Sequence, residues 1–232
     1  MGAMRLLGVL GGMSWASTAH YYRALNEGVA ERLGGLHSAR VIIHSVDFAP
    51  IARAQHDGEW ATTSRTLGEA GAGLARAGAR ALLLATNTIH KVAGEVEAAS
   101  GIPLIHIADA TASAILAAGH RRVGLLATAF TMEEDFYIGR LREHGLDVVV
   151  PDAADRVTVH RIIYDELCHD LVREESRAAY REIGERLADT GAEAIILGCT
   201  EIGMLLSDGD LSVPCFDTTE LHAAAGVDFL LG

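Results

Sequence analysis

Two stretches of the chain end an aliphatic run on small polar or ionisable groups. Residues 82–91, LLLATNTIHK, stop three leucines at Thr86, Asn87 and Thr88. Residues 195–204, IILGCTEIGM, do the same at Cys199, Thr200 and Glu201. A thiol brings nucleophilic and basic chemistry within reach of neutral pH, because free cysteine titrates near pH ~8.5 and a helix N-terminus lowers that value. Cys199 falls where a strand is expected to hand over to a helix, so a usable thiolate is expected there. Thr86 cannot ionise near neutrality. Its hydroxyl can donate a hydrogen bond, pass a proton to a strongly basic carbanion, or cap the following helix. Asn87, Thr88 and Thr200 flank these two residues, and with the N–H groups of two helix starts they could hold a carboxylate, a role compatible with capping.

The two stretches belong to a longer internal repeat. LARAGARALLLATNT (74–88) and LADTGAEAIILGCTE (187–201) align at a constant offset of 113 without a gap, and a weaker echo pairs GVLGGMS (8–14) with GLLATAF (124–130). On that alignment Thr86 corresponds to Cys199. Such a repeat implies two similar α/β lobes, whose equivalent strand ends would carry the two polar tips to one ligand; ligands of open parallel sheets bind at the carboxyl ends of the strands.

Other candidates are weaker. Cys168 falls in an amphipathic helix and Cys215 in a short strand, and both read as packing residues. The eleven histidines show neither H-x-x-x-H nor C-x-x-C spacing, so no metal site is expected. GVLGGMSW (8–15) is a strand, a glycine pair and a helix, but it lacks the G-x-G-x-x-G and G-K-[ST] spacings of nucleotide loops. Gly11 and Gly12 are read as letting backbone approach a small anion. DEL (165–167) and MEED (132–135) read as solvated helix faces or helix starts.

The elements that must position these groups follow from hydrophobic patterning. Runs at 5–10, 39–46, 79–85, 104–108, 122–127, 146–150, 192–198 and 213–217 lack polar alternation, as strands buried on both faces do. Helical patterns cover about 17–33, 59–77, 88–99, 109–118, 133–143, 157–168, 174–190 and 218–230. The four prolines are read as lying in or near loops and strand starts. This alternation predicts an α/β chain of two pseudo-symmetric lobes, each a parallel sheet flanked by helices. The first lobe is expected to comprise 1–110 plus 209–232 and the second 111–208. A net charge of −12 argues against nucleic acid or an anionic membrane as partner. No apolar run approaches the roughly 18 residues of a membrane span, and three cysteines are too few and too odd in number for a disulfide framework; a reducing cytoplasm is the expected compartment.

These residues carry a family resemblance. GVLGGMSW, SVDF (45–48), TNTIHKVA (86–93), PLIHIADAT (103–111), TMEEDFY (131–137), IIYDELC (162–168), EESRAAY (174–180) and LGCTEI (197–202) resemble the aspartate/glutamate racemase family nearly end to end. Within it the likeness is greatest to the L-aspartate/glutamate-specific, broad-specificity amino-acid racemase branch. The resemblance implies a cofactor-independent two-base racemisation of a small amino acid by a homodimer. In most of the family a cysteine stands at each tip. Here Thr86 takes the first place, as in the branch that favours L-substrates, so Cys199 is expected to remove the α-proton and Thr86 to protonate the opposite face. Met13 and Ser14 are expected to face the substrate, Gln55 to lie in the side-chain contact region, and Thr128 to face the cleft from the second lobe. Many relatives hold an acidic side chain with a lysine where this chain has Cys168, which leaves room for neutral or hydroxylated substrates; Arg53, Arg161 and Lys91 are the nearby cations. Two other readings stand beside this one: an amino-acid-binding or sensing protein without turnover, and a related decarboxylase or cis-trans isomerase, since fold alone does not decide chemistry.

Overall fold

The computed structural model describes residues 3–232. The aliphatic runs form two four-stranded parallel sheets. The first holds β1 (Leu7–Gly11), β2 (Val41–Ser45), β3 (Ala81–Leu84) and β4 (Leu104–Ile105); the second holds β5 (Arg122–Ala127), β6 (Asp147–Val149), β7 (Ala194–Gly198) and β8 (Cys215–Asp217). Strand order is β2-β1-β3-β4 in the first and β6-β5-β7-β8 in the second, the same permutation twice. The chain divides into two compact units, Met1–His106 with His222–Gly232, and Ile107–Leu221. Both units are α/β, as the patterning predicts.

The central strands β1, β3 and β7 are buried at every residue, which is why they carry no polar alternation. The outer strands β2 and β6 are only partly buried. In the first unit, side chains leave the sheet with a period of two. Leu7, Val9, Ala81 and Leu83 meet Tyr21, Leu25 and Val29 of α1 (Trp15–Leu33) and Val227 and Leu230 of the helix Thr218–Leu231. Leu10, Leu82 and Leu84 point the other way, against Leu67 and Leu74 of α3 (Trp60–Arg76) and Val96 of α4 (Ala93–Ser100). Each such valine or leucine side chain contributes about 1.5–3 kcal/mol by leaving water. The second unit has one continuous core, in which Leu125, Ile196, Tyr137, Tyr180 and Leu187 are members.

Two of the departures from the patterning have a clear local cause. A helix not expected from periodicity, α2 (Phe48–His56), starts at Asp47, whose carboxylate accepts the Ala49 N–H at 3.2 Å. Pro50 lies inside its first turn rather than in a loop; proline is tolerated there because that N–H has no intrahelical partner. The run 104–108 is a strand for only two residues, since Ile107 already opens α5 (Ile107–Ala117) and its carbonyl accepts the Thr111 hydroxyl at 2.8 Å. Among the described residues no helix is long and apolar enough to cross a membrane.

Candidate active site

Strand register makes the two tips equivalent. Leu10 lies opposite Leu84 in the first sheet, and Leu126 lies opposite Leu197 in the second. The offset that carries Leu84 to Leu197 and the one that carries Leu10 to Leu126 were independent in sequence, yet they give the same pairing. Thr86 and Cys199 thus each stand two residues past equivalent paired positions, at the carboxyl ends of β3 and β7.

In the first unit the chain turns tightly at β3's end. The Ala85 N–H donates to the Leu10 carbonyl at 2.9 Å and the Thr86 N–H to the Leu84 carbonyl at 2.8 Å. Thr86, Asn87 and Thr88 are buried, and Thr88–Val92 form a 3-10 turn before α4 begins. On the adjacent strand, the Gly12 N–H donates to the Thr18 hydroxyl at 2.7 Å. A Cβ on Gly11 would lie 2.4 Å from Thr18 Cγ2, and one on Gly12, whose φ is +97°, would lie 2.2 Å from the Val46 carbonyl oxygen. The glycine pair therefore serves the close packing of α1 and of the chain leaving β2. This corrects its reading as an anion cradle, since the Gly12 N–H is spent on Thr18.

The other first-unit candidates divide by role. Met13 is buried and packs with Leu10 and Ile51 in the core, which leaves its backbone rather than its side chain for any ligand. Ser14 caps α1: its hydroxyl accepts the Ser17 N–H at 3.3 Å, and its carbonyl accepts the Thr18 hydroxyl at 2.8 Å. Gln55 is buried near the end of α2.

In the second unit, Ala127 pairs with Gly198, so Thr128 and Cys199 leave neighbouring strands side by side. Thr128 is buried, and its hydroxyl lies 3.2 Å from that of Thr131. The Cys199 thiol donates to Oε2 of Glu201 at 3.1 Å, and the Thr200 hydroxyl donates to the same oxygen at 2.6 Å. No long helix follows; the next element is a 3-10 turn, Ile202–Met204. Burial pushes the thiol well above its ordinary pKa, with the Glu201 carboxylate and then Cys168 adding to the shift. The expected lowering by a helix N-terminus is overturned, because desolvation and a like charge outweigh a single short turn.

Glu201 is the residue that reading the sequence passed over as chemistry. Its signal was its place two residues after Cys199, which a tight turn brings back onto the sulfur. Cys168 also belongs to this neighbourhood: burial and the Glu201 carboxylate push its thiol up to about 12, so it stays neutral. Tyr180 is buried with its hydroxyl on the Val159 carbonyl at 3.0 Å, and its pKa is raised first by burial and next by Cys199 and Glu166. Glu166 is not on a solvated face. It is 4% exposed, accepts the Ser176 hydroxyl at 2.5 Å and lies 3.6 Å from Arg161 and 3.9 Å from Arg173.

Two parallel α/β units thus share one strand order, and each ends a central strand on a side chain that can carry a proton. A family model described as Asp/Glu/hydantoin racemase matches residues 10–226, and the chain belongs to that family. It is 50% identical to a proposed Asp/Glu racemase from Yersinia pestis whose crystal structure is solved, with a TM-score of 0.93 over 99% of this chain and 100% of that one. It is 34% identical to an aspartate racemase homologue from Pyrococcus horikoshii OT3, with a TM-score of 0.87 over 99% and 100% of the two chains. The aspartate racemase of Picrophilus torridus shares the fold at 22% identity, with a TM-score of 0.76 over 97% and 93%. The protein is accordingly an isomerase of the racemase kind.

Proposed function

We propose that the protein is a cofactor-independent amino-acid racemase that prefers L-substrates, with Cys199 as the base for one face of the α-carbon and Thr86 as the proton donor for the other. The observation that supports this most is the hydrogen bond from the Cys199 thiol to Glu201, at a strand end equivalent in register to that of Thr86.

The resting thiol is protonated, so it must lose its proton before it can act. In this reading the proton moves along the 3.1 Å contact to Glu201 Oε2, leaving a thiolate and a neutral carboxyl. The thiolate takes the α-proton, and the electron pair passes into the substrate carboxylate. The Thr86 hydroxyl protonates the opposite face, and its alkoxide regains a proton through solvent while Glu201 gives one up. Amide donors around the tips stabilise the charge that builds on the substrate carboxylate. The asymmetry follows from acidity: a hydroxyl is many pKa units too weak to serve as base toward a D-substrate, and general-base efficiency depends on that match.

Substrate range follows from Cys168. A cysteine side chain has no cationic form, so Cys168 offers an acidic side chain no cation at the place where the family resemblance expects a lysine, and neutral or hydroxylated side chains such as that of homoserine fall within range. Three free cysteines fit a reducing cytoplasm, and a homodimer is the assembly we infer from the family.

The test is α-proton exchange. L-glutamate, L-aspartate and L-homoserine are incubated in D₂O and the α-proton is followed by NMR. Loss of that signal with the wild type but not with Cys199→Ala supports the racemase. Binding of any of these without exchange replaces it with a sensing module.

A further inference from the structure

Behind the Thr86 turn, the first unit gathers four ring side chains from four separate segments of the chain. His90 in the 3-10 turn is 3% exposed, and its Nδ1 lies 2.7 Å from the Thr86 carbonyl oxygen. A carbonyl only accepts, so Nδ1 carries the hydrogen and the tautomer of His90 is set. The His106 ring, just after β4, sits 4.6 Å from that of His90 at 61°, and the His222 ring, on the helix Thr218–Leu231, sits 5.6 Å from it at 65°. His222 is fully buried; its Nε2 donates to the Ile105 carbonyl at 2.7 Å and its Nδ1 accepts the Tyr21 hydroxyl at 2.9 Å. Both of its nitrogens are thus committed, and its ring cannot turn without losing two bonds. Burial holds His90 well below the ordinary imidazole value and His222 at about 4, so both are neutral at physiological pH. A neutral His90 keeps one donor and one acceptor nitrogen, which is the state its bond to Thr86 uses.

Thr86 is past the end of β3, so the sheet ladder no longer holds its carbonyl. The hydrogen bond from His90 fixes that peptide plane, and the plane sets where the Thr86 hydroxyl points. We propose that His90 is a positioning residue for Thr86, and that His106, His222 and Tyr21 form the brace that keeps the His90 ring in place. This rests on the reading of Thr86 as proton donor, and the test separates the two.

In D₂O, an L-substrate can lose its α-proton to Cys199 and regain deuterium from the same side, or it can be protonated from the other side and leave as the D-enantiomer. The first outcome needs only the Cys199 side and no proton from Thr86; the second needs a well-placed Thr86. The readout is the ratio of α-deuterated L-substrate to D-product, measured by NMR and chiral chromatography. His90→Leu fills the space without a donor and is expected to raise that ratio about tenfold, the worth of one good hydrogen bond. His90→Asn puts an amide donor where Nδ1 was and is expected to restore the ratio to within about twofold, on the same hydrogen-bond scale. A merely structural role would slow both outcomes together and leave the ratio unmoved, which overturns the proposal. Should His90→Leu not fold, His90→Asn against His90→Gln carries the test, because glutamine offers its donor at the Nε2 place; equal ratios in the two would overturn it. Thr86→Val is the control for the underlying reading. A wild-type ratio in Thr86→Val removes Thr86 as donor, whereas a raised ratio there with an unmoved one in His90→Leu removes only the brace.

Discussion

Replacing Glu201 by glutamine separates two roles that its carboxylate could play toward Cys199, because they push activity in opposite directions. If the carboxylate merely burdens the thiol with a neighbouring negative charge, removing it frees the sulfur to ionise. The oxygen and the sulfur are 3.1 Å apart. At an effective dielectric of about 20, two unit charges roughly 3 Å apart repel by about 5 kcal/mol, or about 4 pKa units. On that view Glu201→Gln would bring the thiol down by up to several units and raise turnover at pH 7. If instead the carboxylate receives the thiol proton, the amide keeps the hydrogen bond but cannot take the proton, and turnover falls by a factor of about 10²–10⁴, the usual worth of a general base. We expect the fall, with Glu201→Asp recovering part of it and KM changing little. The assay is α-deuterium wash-in to an L-substrate at saturation, followed from pH 6 to pH 10. Turnover at pH 7 equal to or above that of the wild type in Glu201→Gln would refute the proton-acceptor role.

Three further outcomes are expected. Gly12→Ala meets both a φ of +97° and the Val46 carbonyl, so it should lower stability by about 1–3 kcal/mol or more, read from urea denaturation, and disturb the Thr86 end of the first sheet. Burial sets the folded-state pKa of His222 at about 4 against an unfolded value near 6.5, so the unfolded chain binds the proton more tightly between those limits. That contribution, about 3 kcal/mol, is fully present above pH ~6.5 and is lost as pH falls toward ~4; His222→Gln should flatten the dependence of the urea midpoint in that window. Cys168→Lys restores a cation at the place where the family resemblance expects one, and should raise kcat/KM for L-aspartate or L-glutamate relative to L-homoserine by about tenfold, the worth of one charge-assisted hydrogen bond.

The sheets were legible in the sequence because central parallel strands must be apolar on both faces, as β1, β3 and β7 are. The repeat that aligned Thr86 with Cys199 carried the register as well. Three features were not legible, for different physical reasons. Pro50 hid α2, since a proline in a first turn looks locally like one in a loop. The thiol of Cys199 was expected to be lowered, but its shift depends on burial and on a carboxylate brought back by a turn, neither of which periodicity reports. The ring cluster behind Thr86 draws on positions 21, 90, 106 and 222, which only the folded topology brings together.

The claim at the centre is that a sulfur base and a hydroxyl donor serve opposite faces of one α-carbon. Free enantiomers equilibrate at one to one, so kcat/KM must match in the two directions and the asymmetry must be sought in kcat. The direct measurement is the initial rate of α-deuterium wash-in from saturating L- and D-substrate, for wild type and for Thr86→Cys. Fast exchange is expected from the L-enantiomer, slow exchange from the D-enantiomer, and a gain on the D side in Thr86→Cys. Comparable turnover of both enantiomers by the wild type would contradict it.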